Sequence, residues 1–67
     1  MSKHYRNYFI SFIDENELDW CILASSDFDY IYKIFQEICF PSEYIIELRG
    51  TDEDIETCLD WEVLATR

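Results

Sequence analysis

The chain is poor in the residues that punctuate and loosen a backbone, with one glycine, Gly50, and one proline, Pro41, in 67 residues. A single glycine cannot build a glycine-rich phosphate loop, and a low-complexity linker is equally excluded. Positive charge is scarce too. Five Lys and Arg stand against 15 Asp and Glu, for a formal net charge of −10. Neutralising phosphates needs Lys and Arg, so nucleic-acid binding of the usual basic kind is excluded. Histidine is down to His4, near the N-terminus, which leaves poor material for a Ser-His-Asp or Cys-His nucleophile. No apolar run approaches the roughly 20 residues of a membrane-spanning helix. Met1 to Arg6 open no apolar signal core, and Cys21, Cys39 and Cys58 are odd in number, far apart and without a C-x-x-C pair. They read as free thiols in a reducing compartment, so the expected location is cytoplasmic.

What is present is apolar surface: 49% of the residues are hydrophobic and 18% aromatic. An acidic tail with that content is no disordered tail, because it can bury enough surface to offset the entropy of ordering. The expectation is one folded domain over residues 1–67. Such a domain buries only about 60% of its unfolded surface. The aromatic rings, each able to bury about 150–250 Å², compensate for a small core.

Residues 5–13 are aromatic and β-branched and read as a strand, with Tyr8, Ile10 and Phe12 on one face and Asn7, Phe9, Ser11 and Ile13 on the other. The polar stretch 14–17 closes a hairpin. Residues 18–25 alternate, Leu18, Trp20, Ile22 and Ala24 against Asp19, Cys21, Leu23 and Ser25. A helix is predicted over about 27–39. Ser26 serves as N-cap with Asp29 three residues on. Phe28, Ile31, Phe35 and Ile38 share a face that Tyr32, Ile34 and Cys39 broaden, and Pro41 stops the helix. Residues 44–49 form a short strand ended by Gly50. The last segment has two readings. Thr51 as cap and Asp54 after it would start a helix with Ile55, Cys58, Leu59 and Val63 on one stripe. The alternation of Ile55, Thr57, Leu59, Trp61 and Val63 with Glu56, Cys58, Asp60, Glu62 and Leu64 favours a strand over 55–64, with 51–54 as hairpin loop. The fold class is therefore α+β, an antiparallel sheet with one helix packed on one face, in the order β-β-α-β-β.

Charge is uneven: residues 1–12 carry Lys3 and Arg6 and no acid, while every acid lies in 13–67. On the predicted sheet, the face turned from the helix carries Asp19, Glu47, Glu56, Asp60 and Glu62, beside the turn acids Asp14, Glu15, Glu17, Asp52, Glu53 and Asp54. Same-face residues repeat about every 6.6 Å on strands about 4.8 Å apart. That density approaches one phosphate per roughly 3.4 Å of a DNA strand. A solvated face is the plain reading of such acids. Magnitude argues for more, since a net charge of about 2–8 suffices for solubility and excess charge destabilises by self-repulsion. A basic partner is expected, met by Glu47, Glu56, Asp60, Glu62, Asp52, Glu53, Asp54 and Asp19. Tyr5, Tyr8, Tyr30, Tyr32, Tyr44, Trp20 and Trp61 are either core or, where exposed, anchors for that partner.

No catalytic residue, metal ligand or cofactor is expected. The carboxylates are read as lying on a convex surface without a pocket. The segment from Asp52 begins like a calcium loop, but Thr57 stands where that loop needs glycine and Val63 where it needs Glu.

In its small size, acidity, single glycine and many aromatics, the chain resembles phage-encoded inhibitors of bacterial defence, the anti-CRISPR and anti-restriction proteins. The resemblance covers the whole chain in character and carries no motif. It implies a non-enzymatic inhibitor in the bacterial cytoplasm that imitates nucleic acid. Such an inhibitor occupies the basic channel or PAM-reading surface of a nuclease complex, where acids pair with arginines. The alternative is an antitoxin-like, immunity-like or regulatory module that fits one specific basic partner. A homodimer through the edge of strand 5–13 or 44–49 is compatible with either.

Overall fold

A computed structural model describes residues 4–41 and 43–67. Its elements are β1 (Asn7–Ile13), β2 (Asp19–Ser25), α1 (Phe28–Glu37), β3 (Ile45–Thr51), a 3₁₀ turn (Ile55–Thr57) and β4 (Glu62–Thr66). The α+β class and the β-β-α-β-β order are as expected. The sheet runs β2-β1-β3-β4 with each neighbouring pair antiparallel. Both β2 and β3 are antiparallel to β1, hence parallel to each other, and joining parallel strands takes a crossover. Helix α1 is that crossover. The two strands expected to offer a dimer edge, 5–13 and 44–49, are therefore the central pair, hydrogen-bonded on both sides. The edges are β2 and β4.

One face of the sheet packs on α1. Tyr8 and Ile10 of β1, Ile46 and Leu48 of β3, and Ile31 and Phe35 of α1 form the buried core, with Phe12, Leu23, Phe28, Ile34, Ile38 and Phe40 packed around it. Of the helical stripe read from the sequence, Ile31 and Phe35 are buried and Phe28, Ile34 and Ile38 half-buried, while Tyr32 and Cys39, read as broadening it, are exposed. The cap differs by one residue: Asp27, not Ser26, accepts from the Tyr30 amide at 3.2 Å. Ser25 Oγ has already taken the Asp27 amide at 3.0 Å, which turns the chain into the helix there. The helix also ends at Glu37, short of residue 39. Ile38 is extended, and Arg67 from the chain end donates to the Phe35 and Ile38 carbonyls at 2.6 and 2.7 Å. A cation on terminal carbonyls satisfies groups that have no helical partner. Phe40 is thereby released to pack on Phe12 and Tyr44.

Three strand expectations change. The alternation in β2 is broken by a bulge, because Ile10 pairs with Leu23 but Ser11 pairs with Cys21. One extra residue, Ile22, reverses the faces, so that Trp20 and Leu23 both lie on the helix side. Gly50 does not end β3, which continues to Thr51. It admits the Tyr5 ring instead, since a Cβ there would sit 2.5 Å from Tyr5 Cδ2, and glycine inside a strand marks such close approaches. The largest change is in 55–64. Residues 55–57 form a 3₁₀ turn, and β4 begins only at Glu62. Backbone groups that a ladder would have used are taken locally: the Thr57 amide by Asp54 O at 3.1 Å and the Asp60 carbonyl by Thr51 Oγ1 at 2.8 Å.

Candidate partner-binding surface

The sheet face turned from α1 is not the carboxylate lattice expected of it. At its centre lies Arg49, only 4% exposed. Glu47 and Arg49 are two residues apart on one strand and so share a face. Asp19 comes from β2, across β1. The guanidinium meets Glu47 Oε1 at 2.7 Å and Asp19 Oδ2 at 2.9 Å. Its carbon lies 4.8 Å from the Trp61 ring centroid and 5.8 Å from that of Phe9. Phe9, Ser11 and Thr51 are buried around it. This is a second small core, held by ion pairs and cation–π contact. Asp19 and Glu47 are therefore paired with Arg49 within the fold, Asp19 with 43% of its side chain still exposed. Both Trp61 and Trp20 remain partly exposed, 41% and 51%, so neither tryptophan is core.

Glu62 leaves that face too. Its register with Gly50 sets it on the helix side, and its carboxylate accepts from the Tyr5 hydroxyl. That bond, together with the nearby negative charge, pushes the Tyr5 phenol up to about 12. Glu56 lies on the 3₁₀ turn and Asp60 in the irregular segment before β4, so the predicted strand face of Glu56, Asp60 and Glu62 does not exist.

The topology gathers the acids elsewhere. The start of β1, the ends of β2 and β3 and the start of β4 meet at one end of the sheet, as Tyr8 pairs with Ser25 and both Asn7–Thr51 and Gly50–Glu62 are in register. That end carries Asp27 and Asp29 at the helix start, Asp52, Glu53, Asp54, Glu56 and Asp60 from the β3–β4 connection, and Glu62 at the start of β4. Among the described residues, the salt bridges all belong to Arg49, so none engages this group. The surface is also not simply convex. Tyr5, Gly50, Thr51, Asp52, Glu53, Asp60, Trp61 and Glu62 line an open cleft of about 330 Å³.

The β3–β4 connection is tied down at many points. Asp52 Oδ1 accepts from the Arg6 amide at 3.1 Å, and the Glu53 carbonyl accepts from Asn7 Nδ2 at 2.9 Å. Glu53 Oε1 accepts from the Leu59 amide at 3.1 Å. Cys58 Sγ lies 3.1 Å from the Asp60 carbonyl. Leu59 itself, predicted to lie in strand or helical stripe, is 90% exposed. Asp52 and Glu53 thus order the loop, while Asp54, Glu56 and Asp60 project from it.

At the opposite end, Asp14 holds the β1–β2 turn. Its carboxylate accepts from the Leu18 and Asn16 amides and from Trp20 Nε1 at 2.8–3.0 Å. The Leu18 bond first, then Trp20, holds its carboxyl below the usual range. Burial pushes the Cys21 thiol up, which keeps it from being a ready nucleophile. Among the described residues no three His, Cys, Asp or Glu side chains converge on a metal position, and no helix is long and apolar enough to cross a membrane.

Fold and surface together define a small α+β protein with an acidic, loop-built end. In comparisons with family models, curated proteins and solved structures, no family, relative or structural neighbour matches this chain.

Proposed function

We propose that this protein is a non-enzymatic inhibitor of a nucleic-acid-handling defence protein, anti-CRISPR-like, that acts in the bacterial cytoplasm. Its acidic end occupies a basic nucleic-acid-binding surface and blocks it sterically and electrostatically. The observation that carries this reading is the concentration of Asp52, Glu53, Asp54, Glu56, Asp60 and Glu62 at one end of a sheet, with no salt bridge to them among the described residues. Concentrated like charge is costly to a small fold unless a complementary surface meets it, and complementary charge raises on-rates by roughly 10–10³. The contacts are assigned to Asp54, Glu56 and Asp60, whose carboxylates project from the loop, with Asp52, Glu53 and Glu62 ordering it. Asp19 and Glu47 are given no part.

The test is charge reversal on a folded protein. Each acid-to-Lys change adds two charges, so replacing Asp54, Glu56 and Asp60 together moves the formal net charge from −10 to −4. Partners retained by the native protein from a bacterial lysate should be nucleic-acid-binding proteins, released by rising salt and displaced by duplex DNA, and absent with the triple variant. Retention that ignores both salt and the triple change sinks the proposal. The second reading, a pocket-filling module for one basic partner, is favoured by the exposure of Leu59. It predicts salt-sensitive binding that duplex DNA does not displace.

A further inference from the structure

One exposed leucine on a protein surface is ordinary. Leu59 is not ordinary in how it is held. A connection whose only task is to be soluble gains nothing from order, yet here the residue before Leu59 and the one after it are both fastened to Thr51, a buried residue of β3. The Leu59 amide is bound by a carboxylate from the same loop, Glu53, whose own amide donates to Thr51 Oγ1 at 3.1 Å. The backbone around Leu59 is therefore set before any partner arrives, while its side chain is 90% in solvent. Asp60 follows it directly, Asp54 and Glu56 precede it, and Trp61 stands two residues on, half exposed and braced from behind by Arg49. A rigid apolar tip loses little freedom on binding, which is where preorganised loops gain affinity.

We infer that the β3–β4 loop is a docking knob, with Leu59 as the anchor that enters an apolar pocket on a partner protein and Asp54, Glu56 and Asp60 meeting a rim of Lys and Arg around that pocket. The occupant follows from complementarity. A second copy of this chain would bring another acidic surface against the loop, and a nucleic acid would bring phosphates; both are repelled by the same three carboxylates. A cationic protein surface with a leucine-sized recess satisfies both halves of the knob. The inference rests on the reading that the acidic end faces a basic protein, and it moves the anchoring role from the carboxylates to an apolar side chain.

Two measurements test it. Amide hydrogen exchange reads the rigid presentation. The Leu59 amide is expected to be protected in the native protein and to lose protection in Glu53→Ala while the amides of β1 and β3 keep theirs. A Leu59 amide that exchanges freely in the native protein overturns the knob. Contact is read by placing a photo-reactive diazirine amino acid at position 59, or at the exposed helical position 30 as control, in otherwise native protein mixed with bacterial lysate. The expected result is cross-linking from 59 into a peptide where apolar residues neighbour Lys or Arg. Unlabelled native protein should compete it away, and Leu59→Ala should need about 10- to 100-fold more. Equal competition by Leu59→Ala, or cross-linking from 59 no stronger than from 30, overturns the knob. A nucleic-acid-handling partner cross-linked only from elsewhere sinks the knob and leaves the proposed function standing. A cross-link from 59 into a protein that handles no nucleic acid does the reverse.

Discussion

Removing Arg49 leaves Asp19 and Glu47 without their counter-charge and Trp61 and Phe9 without the cation that lies over both rings. Breaking a fully buried pair costs about 3–5 kcal/mol, and the partial exposure of Asp19 moderates this, so Arg49→Met should lower unfolding stability by about 2–3 kcal/mol in urea. Arg49→Lys should recover only a minor part, because an ammonium neither stacks on aromatic faces nor presents a fork to two carboxylates. Full recovery by lysine would mean that charge alone holds this face. Tyr5 offers a second residue-scale readout. Its phenol is raised from an ordinary 10.0 to about 12 by the bond to Glu62. A neutral acid whose folded value is raised contributes stability that is fully present below pH 10 and is lost as pH rises through 12. In a spectrophotometric titration a tyrosine ionising near pH 12 should disappear in Tyr5→Phe, and the two proteins should converge in stability above that pH. Part of this was legible: Glu47 and Arg49, two apart on a strand, announce a same-face pair. Asp19 as the third member was not, since only the β2-β1-β3 order brings it near.

Turn chemistry governs the elements. Glu17 sits in the left-handed region with φ of 64°, where a side chain is disfavoured. Glu17→Gly should therefore stabilise the hairpin, by about 0.5–1 kcal/mol in thermal or urea unfolding; a loss of stability would show that the Glu17 side chain makes up for the strain. The elements themselves were largely readable. The first hairpin, the helix stripe of Phe28, Ile31, Phe35 and Ile38, and the third strand are each where period and capping residues put them, within one or two residues. The segment 55–64 was not, for a physical reason. Alternation of apolar and acidic residues satisfies a strand, but a strand also needs a free ladder partner. The Asp60 carbonyl is instead held by Thr51 Oγ1, and Trp61 is drawn over Arg49. The β2 bulge escaped for the opposite reason: Trp20 to Ser25 alternate well, and a one-residue insertion is invisible until the partner strand fixes the register.

For the molecule as a whole, the charge is a load on the fold as well as an instrument. Reversing Asp54, Glu56 and Asp60 to Lys relieves repulsion and, among the described residues, breaks no side-chain hydrogen bond of theirs, so the triple variant should unfold at an equal or higher midpoint at low salt, with the difference shrinking as the Debye length falls below about 10 Å. A marked loss of stability would mean that these acids hold the loop rather than face a partner. Sequence alone determined that the chain folds, that it is strongly acidic, and that its aromatics and periodicities make four strands and a helix, because local propensity and burial depend on residue type and spacing. Only the tertiary structure decided which acids are available. Strand order put Arg49 between Asp19 and Glu47 and paired both acids with it, Tyr5 took Glu62, and the β3–β4 loop turned Leu59 outward among the acids that remained. Those are contacts between residues up to 57 positions apart, and the physics of a pair so distant in sequence is set by where the backbone brings the two ends together.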